Sequence, residues 1–226
     1  MNAEKLIGIL EMEHASTQFY IRLLTESYSL KRPNNLQTFK LIPADFEAIN
    51  NLLPYRSAKL DSIIDSYLKE VLSSEIECIL IPNITIHETV DTVWDTMEST
   101  IPIAHPILGT IERMHQAKQS KAVFFGSSYT MTCDYIKTAF ANADITIEEP
   151  RPKDLQFIDQ VRKKVYSQTA SEETLEQFNK LVQNYTNETT VLIGCTELSI
   201  ASKFRNERIL DMDMIQVEDA ISVIKT

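Results

Sequence analysis

The sequence predicts an α/β protein built of two similar lobes, and three observations carry that prediction. Short apolar runs alternate with longer stretches of helical periodicity, the signature of parallel strands covered by helices. The alternation begins afresh near residue 105. Glycine occurs only four times, and Gly126 and Gly194 each stand directly after an apolar run, where the chain leaves a parallel sheet on the ligand-binding edge.

In order, residues 6–10 read as a buried strand. Residues 16–28 read as a helix with Phe19, Leu23 and Leu24 on one face and Ser16 or Thr17 as its cap. A strand over 36–42 is ended by Pro43. A helix over 58–72 places Leu60, Ile63, Ile64, Tyr67, Leu68 and Val71 at helical spacing. A strand over 78–81, a helix over 87–97 and a strand over 101–104 complete the first series. The second runs through a strand at 121–125, a helix at 129–141 and a strand at 145–147. Helices follow at 154–166 and 171–185, the latter capped by Ser171 with acids in its first turn. Strands at 190–193 and 209–210 and a helix at 217–224 close the chain. The expected division is a first lobe of residues 1–103 with 209–226, and a second of residues 104–208, each a mainly parallel sheet covered by helices.

With 226 residues, 43% of them hydrophobic, the chain can bury two such cores. A net charge of −10 argues against a general nucleic-acid binder, because an acidic surface repels phosphate backbones. The first ten residues have too short an apolar stretch for a signal peptide, and no apolar run nears the roughly 18 residues of a membrane span. A cytoplasmic protein without a membrane partner is expected. Three cysteines, Cys78, Cys133 and Cys195, form no CxxC pair and no Cys/His spacing typical of zinc, so neither a disulfide framework nor a metal site is expected. Cys78, inside a strand, is expected in the core.

Gly194-Cys195-Thr196-Glu197-Leu198, following Val191-Leu192-Ile193, resembles the second cysteine motif of the aspartate/glutamate racemase family. Four further segments resemble the same family in the same order. They are Ile7-Gly8-Ile9-Leu10 leading to Ala15-Ser16-Thr17 and Tyr20; Asp45-Phe46; Thr85-Ile86-His87; and Gly126-Ser127-Ser128-Tyr129-Thr130-Met131 with Asp134. Together they span most of the chain. The resemblance implies two pseudo-symmetric α/β lobes with the active site between them. It implies amino-acid racemisation or epimerisation without metal or organic cofactor, a small amino acid or carboxylate as the partner, and commonly a homodimer.

Racemisation removes the proton from Cα and returns one to the opposite face, so two groups must flank that carbon. By the resemblance, Cys195 is one. Its place at the start of a helix is expected to favour the thiolate. The family sets its first cysteine, or a threonine, four residues before the motif histidine, and here that position is Asn83. Asparagine has no proton to exchange near neutral pH. Glu13 or His14, in a first loop (Glu11-Met12-Glu13-His14) bulkier than the family's, could stand in. Gln216 replaces a common histidine, and Met212 a common threonine.

For substrate binding the resemblance points to Thr85, His87, Ser127, Ser128, Thr130, Thr196 and Glu197. Arg56 and Lys164 are the cationic candidates for a substrate carboxylate. Backbone N–H groups after Gly126 and Gly194 offer further donors. The expected function is a racemase or epimerase acting on aspartate, glutamate or a relative. The alternatives are a decarboxylase-like enzyme that protonates with a single thiol, and a ligand-binding relative that has lost turnover. One-sided solvent exchange at Cα would mark the single-thiol case.

Overall fold

The structure is a computed structural model that describes residues 6–31, 39–203 and 206–224. The chain divides into two compact units, Met1–His105 with Gln216–Thr226, and Pro106–Ile215. No helix among the described residues is long and apolar enough to cross a membrane.

The first unit contains β1 (Ile7–Leu10), α1 (His14–Lys31), β2 (Phe39–Ile42), α2 (Phe46–Asn50), α3 (Ala58–Leu72), β3 (Cys78–Leu80), α4 (His87–Trp94) and β4 (Ile103–Ala104). A 3-10 turn, Ile84–Ile86, separates β3 from α4. The four strands are parallel in the order β2-β1-β3-β4. Alternation along the strands divides the core into two clusters. Ile7 and Ile9 of β1 with Cys78 and Leu80 of β3 pack against Phe19, Tyr20 and Leu24 of α1 and against Val217, Ala220 and Ile221 of the last helix. Leu10, Ile79 and Ile81 face the other way, onto Leu60, Ile64, Leu68 and Val71 of α3 and Val90 and Val93 of α4. Both faces of the sheet are therefore covered, which is why its strands are continuously apolar.

The second unit contains α5 (Pro106–Gln116), β5 (Lys121–Phe125), α6 (Asp134–Ala141), β6 (Thr146–Glu148), α7 (Pro152–Tyr166), α8 (Glu172–Thr186), β7 (Thr190–Ile193), α9 (Thr196–Ala201) and β8 (Ile209–Asp211), after which α10 (Met212–Val223) begins. Its parallel sheet has the order β6-β5-β7-β8. In each unit, then, the second strand flanks the first, the third lies on the first's other side, and the fourth lies beyond the third. Phe125 packs edge-on against Tyr185 of α8, with ring centroids 5.2 Å apart, and Phe178 of the same helix lies beside it.

Several expected boundaries move. Residues 209–211 were assigned to the first lobe, but β8 pairs with β7 in register Ile193↔Asp211 and completes the second sheet; the chain returns to the first unit only at Gln216. Helix α1 starts at His14, earlier than a Ser16 or Thr17 cap would allow, because the Glu13 carboxylate accepts the Ser16 N–H at 2.9 Å. Ser171 does cap α8, accepting the Thr174 N–H. The expected strand over 36–42 is seen from Phe39; residues 36–38 lie outside the described part.

Candidate active site

In sheets of this order, the neighbouring first and third strands leave toward opposite faces, and the crevice beyond their carboxyl ends is where ligands bind. In the second unit those strands are β5 and β7, paired Phe125↔Ile193. Six of the expected residues lie just past them: Ser127, Ser128 and Thr130 after β5, and Cys195, Thr196 and Glu197 after β7.

The two glycines at these exits are explained by packing. Neither has a positive φ. A Cβ on Gly194 would collide with the Phe124 ring, and one on Gly126 would meet both that ring and Thr130 Oγ1. The ring of a buried strand residue thus fills the space under both turns. In the β5 turn, Ser127 Oγ accepts the Thr130 N–H at 3.1 Å and lies 3.1 Å from the buried Thr130 hydroxyl. The Ser128 N–H donates to Asp159 Oδ1 of α7 at 3.2 Å.

Cys195 is the N-cap residue of α9 and remains partly exposed. Its thiol donates to Glu197 Oε2 at 2.7 Å. The expectation of a favoured thiolate is corrected here. Burial first, then the charge and hydrogen bond of Glu197, hold the thiol well above its ordinary pKa; Arg162 opposes them and Asp213 adds to them. A six-residue helix does not outweigh a carboxylate in direct contact. These influences favour the protonated thiol at Cys195.

Arg162 is the cation that the sequence reading passed over. It lies on α7, pairs with Asp159 through Nε at 3.0 Å, and is influenced by both Cys195 and Glu197. Lys163 holds the other oxygen of Asp159 at 2.7 Å. Lys164, the residue singled out on this helix, instead reaches Thr174 Oγ1 near the start of α8, at 3.4 Å. The other cationic candidate, Arg56, is exposed and forms a two-pronged ion pair with Asp61 at 2.8 and 3.0 Å.

In the first unit the corresponding exits follow β1 and β3, paired Ile9↔Leu80. Past β1, Glu13 is engaged in starting α1 and His14 is exposed. Past β3 stands Asn83, N-cap of the 3-10 turn, half-buried, with Oδ1 accepting the Thr85 N–H at 3.0 Å. Its backbone (φ −161°, ψ 105°) nearly repeats that of Cys195 (φ −159°, ψ 127°). Both residues follow the third strand of their sheet and cap the next helical segment.

Below the Asn83 turn lies a buried polar network. His87 is fully buried, with Nε2 3.4 Å from the Ile81 carbonyl, and burial followed by the neighbouring His105 depresses its pKa to about 3. Its ring is therefore enclosed in the first unit, away from the surface at which a substrate-sized molecule would meet it. Gln216, also fully buried, donates to the carbonyls of Ile81 at 3.2 Å and Ala104 at 2.7 Å, and accepts the Tyr20 hydroxyl at 2.7 Å. The Gln216 amide thus ties the ends of β3 and β4 to α1. Cys78 is in the core as expected, with burial raising its pKa to about 11.

Comparison with solved structures places this architecture. The chain superposes on an aspartate racemase homologue from Pyrococcus horikoshii OT3 with a TM-score of 0.83, at 18% identity, over 98% of this chain and 100% of that one. The chain has the fold of the aspartate and glutamate racemases. The aspartate racemase of Picrophilus torridus gives a TM-score of 0.74 at 16% identity, over 97% and 94% of the two chains. The glutamate racemase of Francisella tularensis, solved in complex with D-glutamate, gives 0.60 at 14% identity, over 97% and 80%. No protein-family model and no curated protein matches the sequence.

Proposed function

We propose that the protein is a cofactor-independent racemase or epimerase of a small amino acid in the aspartate and glutamate class, with Cys195 as its proton-transfer thiol. The observation that carries this reading is the matched pair of turns. Asn83 and Cys195 each stand in the turn that leaves the third strand of two sheets with the same strand order, each with an extended backbone and each capping the next helical segment. A two-sided proton transfer needs such a pair. The fold is shared with proteins named as aspartate and glutamate racemases. In this reading Arg162, rather than Lys164, is the cation that attracts a substrate carboxylate beside the thiol.

The chemistry divides unequally between the two turns. The Cα–H bond breaks as a base takes the proton, and the new bond forms as an acid supplies one to the other face. The Cys195 thiol can supply the proton, leaving a thiolate beside Arg162. The Asn83 amide cannot titrate; on its side the Cα proton passes to a hydroxide ion held by the amide, which becomes water, and in the reverse direction that water returns the proton as the Cys195 thiolate takes the one on the other face. Turnover at that face is accordingly slow.

One observation favours a second reading, a single-thiol enzyme that protonates a carbanion after decarboxylation: Glu197 and burial keep Cys195 protonated. Incubation with aspartate and glutamate in deuterium oxide distinguishes the two. The racemase reading predicts deuterium at Cα with gradual inversion, and a loss of at least about 100-fold in exchange rate in Cys195→Ser, typical of removing a general acid or base. Loss of carbon dioxide with deuterium at the vacated position marks the single-thiol reading. Exchange unchanged in Cys195→Ser removes the thiol from both.

A further inference from the structure

We propose that His87, Asp91 and His105 form a binding site for one divalent transition-metal ion of the zinc type. One ligand atom from each of these residues lies within 4.8 Å of the other two. The fold assembles them in two ways. His87 and Asp91 are four residues apart on α4 and so share a face. His105 follows β4, which pairs with β3, the strand whose exit leads into α4. The two imidazoles meet edge to face with centroids 4.5 Å apart, and His105 Nε2 is 3.0 Å from Asp91 Oδ1. Two imidazoles and a carboxylate make a zinc donor set, with the fourth position left to water. Bonds of about 2.0–2.1 Å in tetrahedral geometry set donors roughly 3.4 Å apart, so small side-chain rotations close the triad.

The buried His87 ring supplies the independent observation. Its Nδ1 is buried without a hydrogen-bond partner, although the residue is wholly enclosed. Nε2 faces the Ile81 carbonyl, which Gln216 also holds. A proton on Nε2 directed at that carbonyl leaves the Nδ1 lone pair for a metal, the usual way a backbone carbonyl fixes a ligating tautomer. The Asp91 side chain is 45% exposed and gives an ion a route inward, and the chain's net charge of −10 favours a cation. A bound ion would tie the start of α4, next to the Asn83 turn, to the end of β4. Binding requires no turnover, so its test is independent of the racemase reading.

The full chain, stripped with chelator, is titrated with Co2+ and then Zn2+ alone. The expected result is one Co2+ per chain with the strong visible bands of a four-coordinate site, no thiolate charge-transfer band, and displacement by Zn2+. Asp91→Asn and His105→Gln should each weaken Zn2+ binding by at least about 10-fold, the lower range for losing even a supporting group. Cys195→Ser should leave it unchanged. If His105→Gln does not fold by circular dichroism, Asp91→Asn, at a partly exposed position, decides alone. Absence of binding, binding unaffected by Asp91→Asn, or binding lost in Cys195→Ser overturns the proposal.

Discussion

At the end of β3 the chain passes through Ile81, Pro82 and Asn83 into a 3-10 turn; at the end of β7 it passes through Gly194 and Cys195 straight into α9. The two cap residues share an extended backbone but spend their side chains differently. Asn83 serves its own turn, accepting an N–H as good N-cap residues do. A thiol caps poorly, and Cys195 makes no such bond; its sulfur points its proton at Glu197. The support beneath each turn also differs. Near Asn83 lies a polar lattice of His87, Gln216 and two backbone carbonyls, and against Gly194, beside Cys195, a phenylalanine ring. One side chain is spent on the order of its own turn, and the other presents its thiol to a neighbouring carboxylate.

The largest expected stability effect tests the polar support. Gln216→Leu removes three buried hydrogen bonds. At about 1 kcal/mol each, the loss is about 3 kcal/mol, read by urea unfolding. A loss below about 1 kcal/mol would mean that the network contributes little to the Asn83 turn. Next comes the apolar support. Gly194→Ala forces a methyl group into the Phe124 ring and should cost about 1–3 kcal/mol while disturbing Cys195 directly. Unchanged stability would show that the ring moves aside freely.

The smallest effect is electrostatic. Glu197 raises the Cys195 pKa, so Glu197→Gln should lower it. More thiolate is then present at any fixed pH below the wild-type pKa, and the alkylation profile moves to lower pH. A shift of one unit gives about tenfold faster alkylation in that range. The assay is iodoacetamide labelling across pH in a Cys133→Ser background. A profile that stays in place, or moves to higher pH, contradicts the role given to Glu197.

These contrasts show which features were legible in the sequence. Strands such as Val191-Leu192-Ile193 are buried on both faces and read as unbroken apolar runs. Helix α5 was missed because Pro106 and Gly109 resemble breakers, although proline is welcome in the first turn and the buried Ile107, Thr110, Ile111 and Met114 keep helical spacing. Cys195 stood out through its motif, and the structure sets it in the turn after β7 at the start of α9. Arg162 did not: on α7 it adjoins Lys163 and Lys164, and only the angular position of each residue on the helix decides which of them acts electrostatically on Cys195. His87 and Asp91 share one face of α4, but His105 is brought beside them only through strand pairing, which residue spacing in the sequence does not reveal. The raised pKa of Cys195 depends on where the Glu197 side chain turns, which helix-terminal position alone does not give.

The most direct test of the inequality between the two turns is to give the first turn the chemistry of the second. Asn83→Cys replaces the amide by a smaller thiol, at a capping cost of about 1 kcal/mol. Both enantiomers of aspartate and glutamate are then followed by chiral chromatography with wild type and variant. The account predicts slow wild-type racemisation and an increase of at least about tenfold in Asn83→Cys, as a second titratable group comes to serve Cα. Wild-type turnover in both directions at an ordinary enzyme rate of around 10 per second, with no gain in the variant, would show that another residue already fills the position and would contradict it.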